Sequence, residues 1–258
     1  MSGSNLAAKT LQNALKYGPG KLQQRKLQPV TVAIVDSGID ATHPQLKGRI
    51  VHAVCVEPRG TKQRVVKTPV PRNADVYGHG TAVASIICKL APNARIVDVR
   101  VLDTNNLCTG ETLLAGFRYA IESGARIINM SLAANAKFAL PLRELCETAY
   151  RHNQLVVAAR RNMPLTDQGF PAEVATCIGV DIGKLNSQFD VIFHNDNIIE
   201  FAARGEEVVV AAPGGGETTM TGTSFATPAV SGLCTLLVGA YPDLRPFDVK
   251  SLLRAFAT

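Results

Sequence analysis

The sequence has no tryptophan, only 5% aromatic residues, and no apolar run approaching the ~20 residues that span a bilayer. We therefore expect no membrane span. Its cysteines never occur at the C-x-x-C spacing of metal ligands, which argues against a zinc site. Several of the six cysteines lie in apolar stretches, so we expect reduced, buried thiols at Cys88, Cys146, Cys177 and Cys234.

Residues 1–20 also lack the apolar core and the small-residue cleavage site of a secretory signal, which favours a cytoplasmic protein. Acidic residues are missing from residues 1–29, which contain five Lys or Arg and carry a charge of +5. The remaining 229 residues hold 22 basic and 21 acidic residues, a total of +1, so most of the net charge of +6 lies in a basic N-terminal arm.

Two interpretations of this arm stay open. It is either a solvated arm, or it binds acidic peptide, nucleic acid or anionic lipid. No nucleic-acid motif and no pattern of interleaved aromatic residues supports a nucleic-acid partner, so we expect none. We predict a short helix at Asn5–Tyr17 within the arm, and one domain over residues 30–258.

The chain is 46% hydrophobic over 258 residues, which excludes a disordered chain or a collagen and allows a large core. After residue 29, short β-branched runs alternate with stretches of helical spacing. The predicted strands are Val30–Val35, Arg95–Val101, Arg126–Met130, Gln154–Ala159, Val174–Val180 and Val208–Ala211. The predicted helices are Glu111–Ser123, Leu142–His152 and Ser224–Ala240. This alternation predicts an α/β fold with a mostly parallel central sheet flanked by helices.

One segment, Glu57–Asp75, breaks the alternation because it contains proline and many basic residues. We predict an exposed excursion there, either a hairpin or a mobile loop.

Three motifs combine residue types that carry chemistry. Asp36 in A-I-V-D-S-G-I-D follows a buried strand, at the sheet edge where ligands of α/β proteins bind. His79 lies between two glycines in Y-G-H-G-T and opens a helix, and the glycines allow close backbone approach and leave the imidazole accessible. Ser224 in T-G-T-S-F-A-T-P begins a long helix, whose free N–H groups can stabilise an oxyanion. Pro228 near the helix start is expected to cost little backbone hydrogen bonding.

Each motif alone has an ordinary structural explanation, such as a turn aspartate or a helix-capping hydroxyl. Together, the order Asp, His, Ser and the G-H-G-T and G-T-S-F-A-T-P motifs resemble the subtilisin-like serine proteases, the subtilases. Asp75 also stands at a position familiar from that family. The resemblance covers roughly residues 29–245 and implies the family's three-layer fold.

The resemblance implies a role for each matching residue. Ser224 would be the nucleophile, His79 its general base and then acid, and Asp36 the residue that holds the imidazole's tautomer. Asn162, in L-V-V-A-A-R-R-N, matches the asparagine that donates to the oxyanion. Matching substrate-binding residues are Ser131, Leu132, Ala133, Ala134, Arg161 and Gly110.

Two departures from the family's pattern concern the pocket for the residue preceding the cut bond. Arg161 and the pair Ala133–Ala134 replace glycines, so we expect a narrowed pocket that prefers small or acidic residues, with Arg160 and Arg161 bringing positive charge nearby. Arg161 could instead point to solvent. A family calcium site is expected to be absent, because Gln45 replaces a carboxylate and the ligand loop after the histidine helix is missing. We expect no metal and no cofactor.

The leading expectation is a cytoplasmic serine endopeptidase acting on a peptide or protein, dedicated to a precursor or leader peptide. Alternatives are a transpeptidase or macrocyclase of the same fold, and a catalytically idle binding protein. The arm is too short for the prodomain typical of secreted relatives, so either a prodomain was removed or the enzyme folds unaided. We further expect the arm to lie across the site until it is displaced. The sequence leaves the oligomeric state open.

Overall fold

The protein's computed structural model describes residues 12–60, 62–162 and 169–257. Nine strands form one sheet in the order β3-β2-β4-β1-β5-β6-β7-β9-β8. Seven of them run parallel, namely β1, β2, β4, β5, β6, β7 and β9, and an antiparallel strand closes each edge. The strands are β1 Val30–Asp36, β2 Ile50–Arg59, β3 Lys62–Lys67, β4 Ala94–Arg100, β5 Ile127–Met130, β6 Leu155–Ala159, β7 Cys177–Gly183, β8 Val191–Phe193 and β9 Phe201–Arg204. The mostly parallel sheet predicted from the sequence is confirmed.

Outside this sheet, β10 (Val208–Ala212) and β11 (Gly216–Met220) form a separate antiparallel pair. The helices are α1 Pro19–Leu22, α2 His79–Leu90, α3 Gly110–Glu122, α4 Ala139–Arg151, α5 Thr223–Ala240 and α6 Pro246–Phe256. Residues 12–16 are also helical, whereas the remainder of the predicted Asn5–Tyr17 helix on its N-terminal side lies outside the described residues.

Strand β1 shows why the sheet forms the middle layer. Its side chains alternate between two cores, as the period of two residues in a strand requires. Val32 and Ile34 belong to the core that contains residues of α2, α5 and α6, while Ala33 and Val35 belong to the core that contains residues of α3 and α4. Helices therefore cover both faces, and the expected three-layer fold is confirmed.

Some of the predicted boundaries shift by three residues or more. Strand β7 begins at Cys177 rather than Val174, because the Val174 N–H bonds to the Pro171 carbonyl in a preceding turn. Strands β2 and β3 pair as a hairpin, one of the two forms expected for the excursion, but β2 already begins at Ile50. Four strands were not predicted at all, namely β2, β8, β9 and β11.

Residues 12–28 pack against the body of the protein. Ala14 and Leu22 are fully buried in the core that contains α5. The Gln23 side chain donates to the carbonyls of Lys89 and Leu90, at the C-terminal end of α2. That end lies roughly 18 Å along the helix from its first residue. For residues 12–28, the expectation of an arm lying across the site is therefore wrong, and residues 1–11 lie outside the described part. The division of the chain at residue 29 stays a prediction.

Helix α5 is the most apolar element. Its 18 residues have a mean hydropathy of 1.4, enough for a membrane span by length and composition, but 89% of them are buried inside the protein. Such burial is what a core helix requires. All six cysteines are free, and Cys88, Cys146, Cys177 and Cys234 are buried as expected. Burial raises the pKa of the Cys88 and Cys234 thiols to about 12.

Candidate active site

The residues of the three motifs meet at the carboxyl edge of the sheet. Strand β1 ends at Asp36, and the segments after β5 and β6 carry Ser131 and Asn162. Helices α2 and α5 begin at the same edge, with His79 as the first residue of α2 and Ser224 as the second of α5. His79, Ser131, Asn162 and Ser224 all line one cleft. This is the edge at which parallel α/β sheets usually bind ligands.

A short hydrogen bond joins the first two motifs. His79 Nδ1 lies 2.7 Å from Asp36 Oδ1, and the Ser37 N–H donates to the same oxygen at 2.8 Å. A carboxylate oxygen can only accept, so His79 carries its proton on Nδ1 and leaves Nε2 as the acceptor nitrogen. Asp36 is fully buried and His79 is 7% exposed, so the imidazole is less accessible than expected. The Phe225 ring, next to Ser224, lies 5.4 Å from the imidazole centroid.

The glycines around His79 allow this contact. A Cβ on Gly80 would lie 2.1 Å from the Gly38 carbonyl oxygen and 3.3 Å from Asp36 Cβ. Any side chain there would push the first turn of α2 away from β1. Gly78 takes φ +106°, a left-handed conformation that glycine adopts without strain. The predicted close backbone approach is confirmed at Gly80, whereas Gly78 serves the left-handed conformation.

Asp75 holds the start of α2 in place. Its Oδ1 accepts from Ser37 Oγ, Tyr77 N and Gly78 N, at 2.7, 3.1 and 2.7 Å. Its Oδ2 accepts from the N–H and the hydroxyl of Thr81, at 2.8 and 2.6 Å. Ser37 Oγ in turn accepts from Gly80 N. A carboxylate is favoured at a helix N-terminus, where unpaired N–H groups and the helix dipole are positive.

Burial and charge act in opposite directions on His79. Burial by itself lowers the pKa of the imidazole, whereas the carboxylates of Asp36 and Asp75 raise it, and the net result is a raised pKa. The site therefore favours the protonated imidazole more than water does. This property suits a base that must carry a proton between two steps of a reaction.

Thr223 connects the third motif to Asn162. The Thr223 hydroxyl donates to the Arg160 carbonyl at 2.7 Å and lies 3.0 Å from Asn162 Oδ1, and Thr223 N–H points to the same Oδ1 at 3.4 Å. A backbone N–H can only donate, so the atom facing Thr223 is the amide oxygen of Asn162. The Asn162 NH₂ group, a donor, is thereby left for the cleft.

The start of α5 excludes the alternative explanation of its hydroxyl groups as helix caps and corrects the expectation for Pro228. The residue preceding its first turn is Gly222, with no side-chain capping bond, so neither Thr223 nor Ser224 acts as the N-cap. Pro228 is the sixth residue of the helix, beyond its first turn. Its missing N–H leaves the Ser224 carbonyl without the usual partner four residues later, which is a larger loss of hydrogen bonding than expected.

The cleft has a volume of about 530 Å³ and contains every substrate-binding residue expected from the resemblance. They are Gly110, Ser131, Leu132, Ala133, Ala134 and Arg161. The sequence did not single out Gly169 or Phe138. Phe138 lies directly against Gly110, because a Cβ on Gly110 would overlap its ring at 1.9 Å. Gly110 and Phe138 are 28 positions apart, and nothing in the sequence indicates that they are in contact.

Gly169 lies between two of the residues that depart from the family's pattern. A Cβ on Gly169 would lie 2.9 Å from Ala133 Cβ and 3.0 Å from Arg161 Cβ. The next residue, Phe170, pairs with Ala134 through two backbone hydrogen bonds. The Ala133 methyl group therefore lies close to the Gly169 backbone, beside the cleft that Ala133 lines. Arg160 forms an ion pair with Asp181 at 3.2 Å, so it adds no unbalanced positive charge there.

Gln45, which replaces a carboxylate of the family's calcium site, binds another side chain. The Gln45 amide donates to Glu217 Oε1 at 2.6 Å. Within the described ranges, no group of three or more His, Cys, Asp or Glu side chains could hold a metal ion.

Comparison with known proteins identifies the family. Residues 28–258 match the subtilase family of peptidases. The chain is 30% identical to thermitase from Thermoactinomyces vulgaris, over 86% of this chain and 81% of thermitase. It is also 30% identical to subtilisin DY from Bacillus licheniformis, over 89% of this chain and 84% of that protein. Among solved structures, sphericase has a TM-score of 0.72 at 23% identity, covering 92% of this chain and 88% of sphericase. The chain belongs to the subtilase family and is a subtilisin-like serine endopeptidase.

Proposed function

We propose that Asp36, His79 and Ser224 form the catalytic triad of this endopeptidase. The observation that carries the proposal is the 2.7 Å bond from His79 Nδ1 to Asp36 Oδ1, at a cleft that Ser224 also lines. Asp36 fixes the tautomer in which His79 Nε2 is free to accept a proton. His79 takes the proton of Ser224, Ser224 Oγ attacks the peptide carbonyl, and His79 then protonates the leaving amine.

Asn162 and the start of α5 stabilise the oxyanion in this proposal. Thr223 holds the Asn162 amide oxygen, which leaves the amide NH₂ group as a donor toward the attacked carbonyl. The free N–H groups of the first helical turn add donors at the same place. Water then releases the acyl group from Ser224, which completes hydrolysis.

A fluorophosphonate probe tests the nucleophile directly, because it reacts with an activated serine without needing the natural substrate. We expect one probe molecule per chain, and no labelling of Ser224→Ala. The matched control is Ser251→Ala, which removes an exposed hydroxyl on α6 and leaves the cleft intact. Equal labelling of the wild-type protein and of Ser224→Ala contradicts the proposed triad.

We propose that the substrate is a precursor or leader peptide with a small residue before the cut bond. The Ala133 methyl group and Arg161 Cβ, on either side of Gly169, support a narrow pocket. The ion pair of Arg160 with Asp181 gives less support to an acidic preference. A positional-scanning peptide library tests this, and a clear preference for bulky aromatic residues overturns it.

We propose that the protein acts in the cytoplasm. Six free thiols support a reducing compartment, and Cys108 is exposed among the residues that line the cleft. Fractionation of the source cells, with the protein detected by antibody, tests this location. Recovery only outside the cell overturns it.

A further inference from the structure

The end of the β2–β3 hairpin, Val56–Arg59 with Lys62–Lys67, concentrates positive charge on a body that is nearly neutral. We call it the basic hairpin. The basic hairpin contains four Lys or Arg and a single acid, Glu57. Residues 30–258 as a whole carry only +1, so this charge is local. Such a patch attracts acidic partners at short range.

The basic hairpin projects from the sheet at the edge that holds the active site. The last pair between β2 and β4 joins Cys55 to Arg100, and Arg100 pairs with Asp36 on its other side. These three residues therefore lie at one level of the sheet. Strand β2 continues for the four residues Val56–Arg59 beyond that level, a distance of roughly 13 Å. The hairpin thus rises beside the cleft.

Its basic side chains share one exposed face. Arg59 lies opposite Lys62, and Glu57 lies opposite Arg64, and residues directly opposite each other point to the same side. All four side chains are exposed. In the part of the chain that the structure describes, no carboxylate lies within 4.0 Å of Arg59, Lys62 or Arg64. These cations are therefore available to a partner.

The opposite face fixes the hairpin to the wall of the cleft. Gln63 Oε1 accepts from the Thr112 hydroxyl at 3.2 Å, and Val65 packs against the core that contains α3. The Thr112 N–H also donates the capping bond to Thr109 Oγ1 at the start of α3. Thr109 and Gly110 line the cleft, so the hairpin is attached to residues that contact the substrate in the proposed function.

We infer that the basic hairpin binds an acidic segment of the polypeptide substrate, next to the bond that is cut. This inference rests on the proposed function. An extended substrate that leaves the cleft past α3 meets Arg59, Lys62 and Arg64 within a few residues. The outer edge of β3 pairs with no described strand, so it also offers backbone groups to an extended segment. The enzyme then selects precursors by an acidic stretch as well as by the residue before the cut bond.

Binding to Ser224→Ala tests the inference without any turnover. Four fluorescent peptides form two pairs that share one central sequence. Within each pair, one peptide carries a run of Glu and the other a run of Gln. The run precedes the central sequence in one pair and follows it in the other. We expect the Glu peptide of one pair to bind roughly tenfold more tightly, with the advantage declining as salt is added. Arg59→Glu, Lys62→Glu and Arg64→Glu together should abolish the advantage.

The matched control reverses three exposed cations, Lys47, Lys89 and Arg95, away from the carboxyl edge of the sheet. It changes the net charge equally and should keep the preference for Glu, while circular dichroism checks that both triple variants are folded. Equal affinity for Glu and Gln peptides overturns the inference, as does equal loss in both triple variants. Binding of an oligonucleotide without any preference between the peptides also overturns it. Failure of the proposed triad would appear separately, as absent fluorophosphonate labelling.

Discussion

Replacing Asp75 with Asn tests whether this carboxylate both positions the His79 helix and sets the protonation of the imidazole. The substitution keeps the size of the side chain and keeps Oδ1 as an acceptor for Ser37, Tyr77 and Gly78. It replaces Oδ2 with an NH₂ group that faces the Thr81 N–H, so two donors meet.

The stability loss follows from these contacts. A helix N–H left without its acceptor costs about 1–3 kcal/mol, and losing a negative charge at a helix N-terminus costs about 0.3–1 kcal/mol. We expect the free energy of unfolding to fall by about 1.3–4 kcal/mol for Asp75→Asn, which lowers the Tm by roughly 3–16 °C in a chain of this size. Differential scanning calorimetry measures this change.

The pH dependence follows from the charge. Asp75 raises the pKa of His79, so removing its charge lowers that pKa. The acid limb of kcat/KM reports the pKa of the free enzyme's base. Since His79 must be neutral to accept a proton, the acid limb of Asp75→Asn should move to lower pH. A profile of kcat/KM against pH, on one peptide substrate, measures the shift.

Asp40→Asn is the matched control. Asp40 accepts hydrogen bonds from Thr42 and Gly214, and it is not among the groups that shift the pKa of His79. It should lower the Tm without moving the acid limb. An acid limb that stays in place in Asp75→Asn, or moves to higher pH, refutes the electrostatic role of Asp75 and leaves only a structural one.

Three further predictions concern the oxyanion, the substrate pocket and the buried charge. Asn162→Ala should reduce kcat by roughly 10²–10³ with little change in KM, measured by steady-state kinetics. Ala133→Gly should raise kcat/KM for bulky residues before the cut bond by roughly tenfold relative to small ones, measured in a peptide library. Burial raises the pKa of Asp98 well above its ordinary value, so the folded protein keeps a proton that the unfolded chain releases, and stability falls as pH rises between the two values. Asp98→Asn should remove a slope of up to about 1.4 kcal/mol per pH unit, measured by denaturant unfolding across pH.

A strand is easy to predict from the sequence when most of its consecutive residues are apolar and buried. Strand β1 reads V-T-V-A-I-V-D, with nearly every position buried, because neighbouring strands and helices cover both its faces. Strand β11 reads G-E-T-T-M and is largely exposed, so no hydrophobic pattern marks it. Strands β8 and β9 have three and four residues, too few to show a period.

The features of the site likewise divide into local motifs, which the sequence shows, and tertiary contacts, which it does not. The motifs around Asp36, His79 and Ser224 are local and were visible in the sequence. The contact of Thr223 with Asn162 joins residues 61 positions apart, and it exists only because β6 and α5 meet at the sheet edge. The contact of Phe138 with Gly110 depends equally on tertiary packing.

Asp98 shows how the fold regulates charge around the active site. It lies in the middle of β4, fully buried, and Asn73 donates to one of its oxygens. Burial raises its pKa most, and the carboxylates of Asp75 and Asp36 raise it further. Those same two carboxylates raise the pKa of His79. A third negative charge would hold the imidazole protonated over a wider pH range and so disable the base. Burial favours the neutral form of Asp98, and the charges that raise the pKa of His79 are those of Asp36 and Asp75.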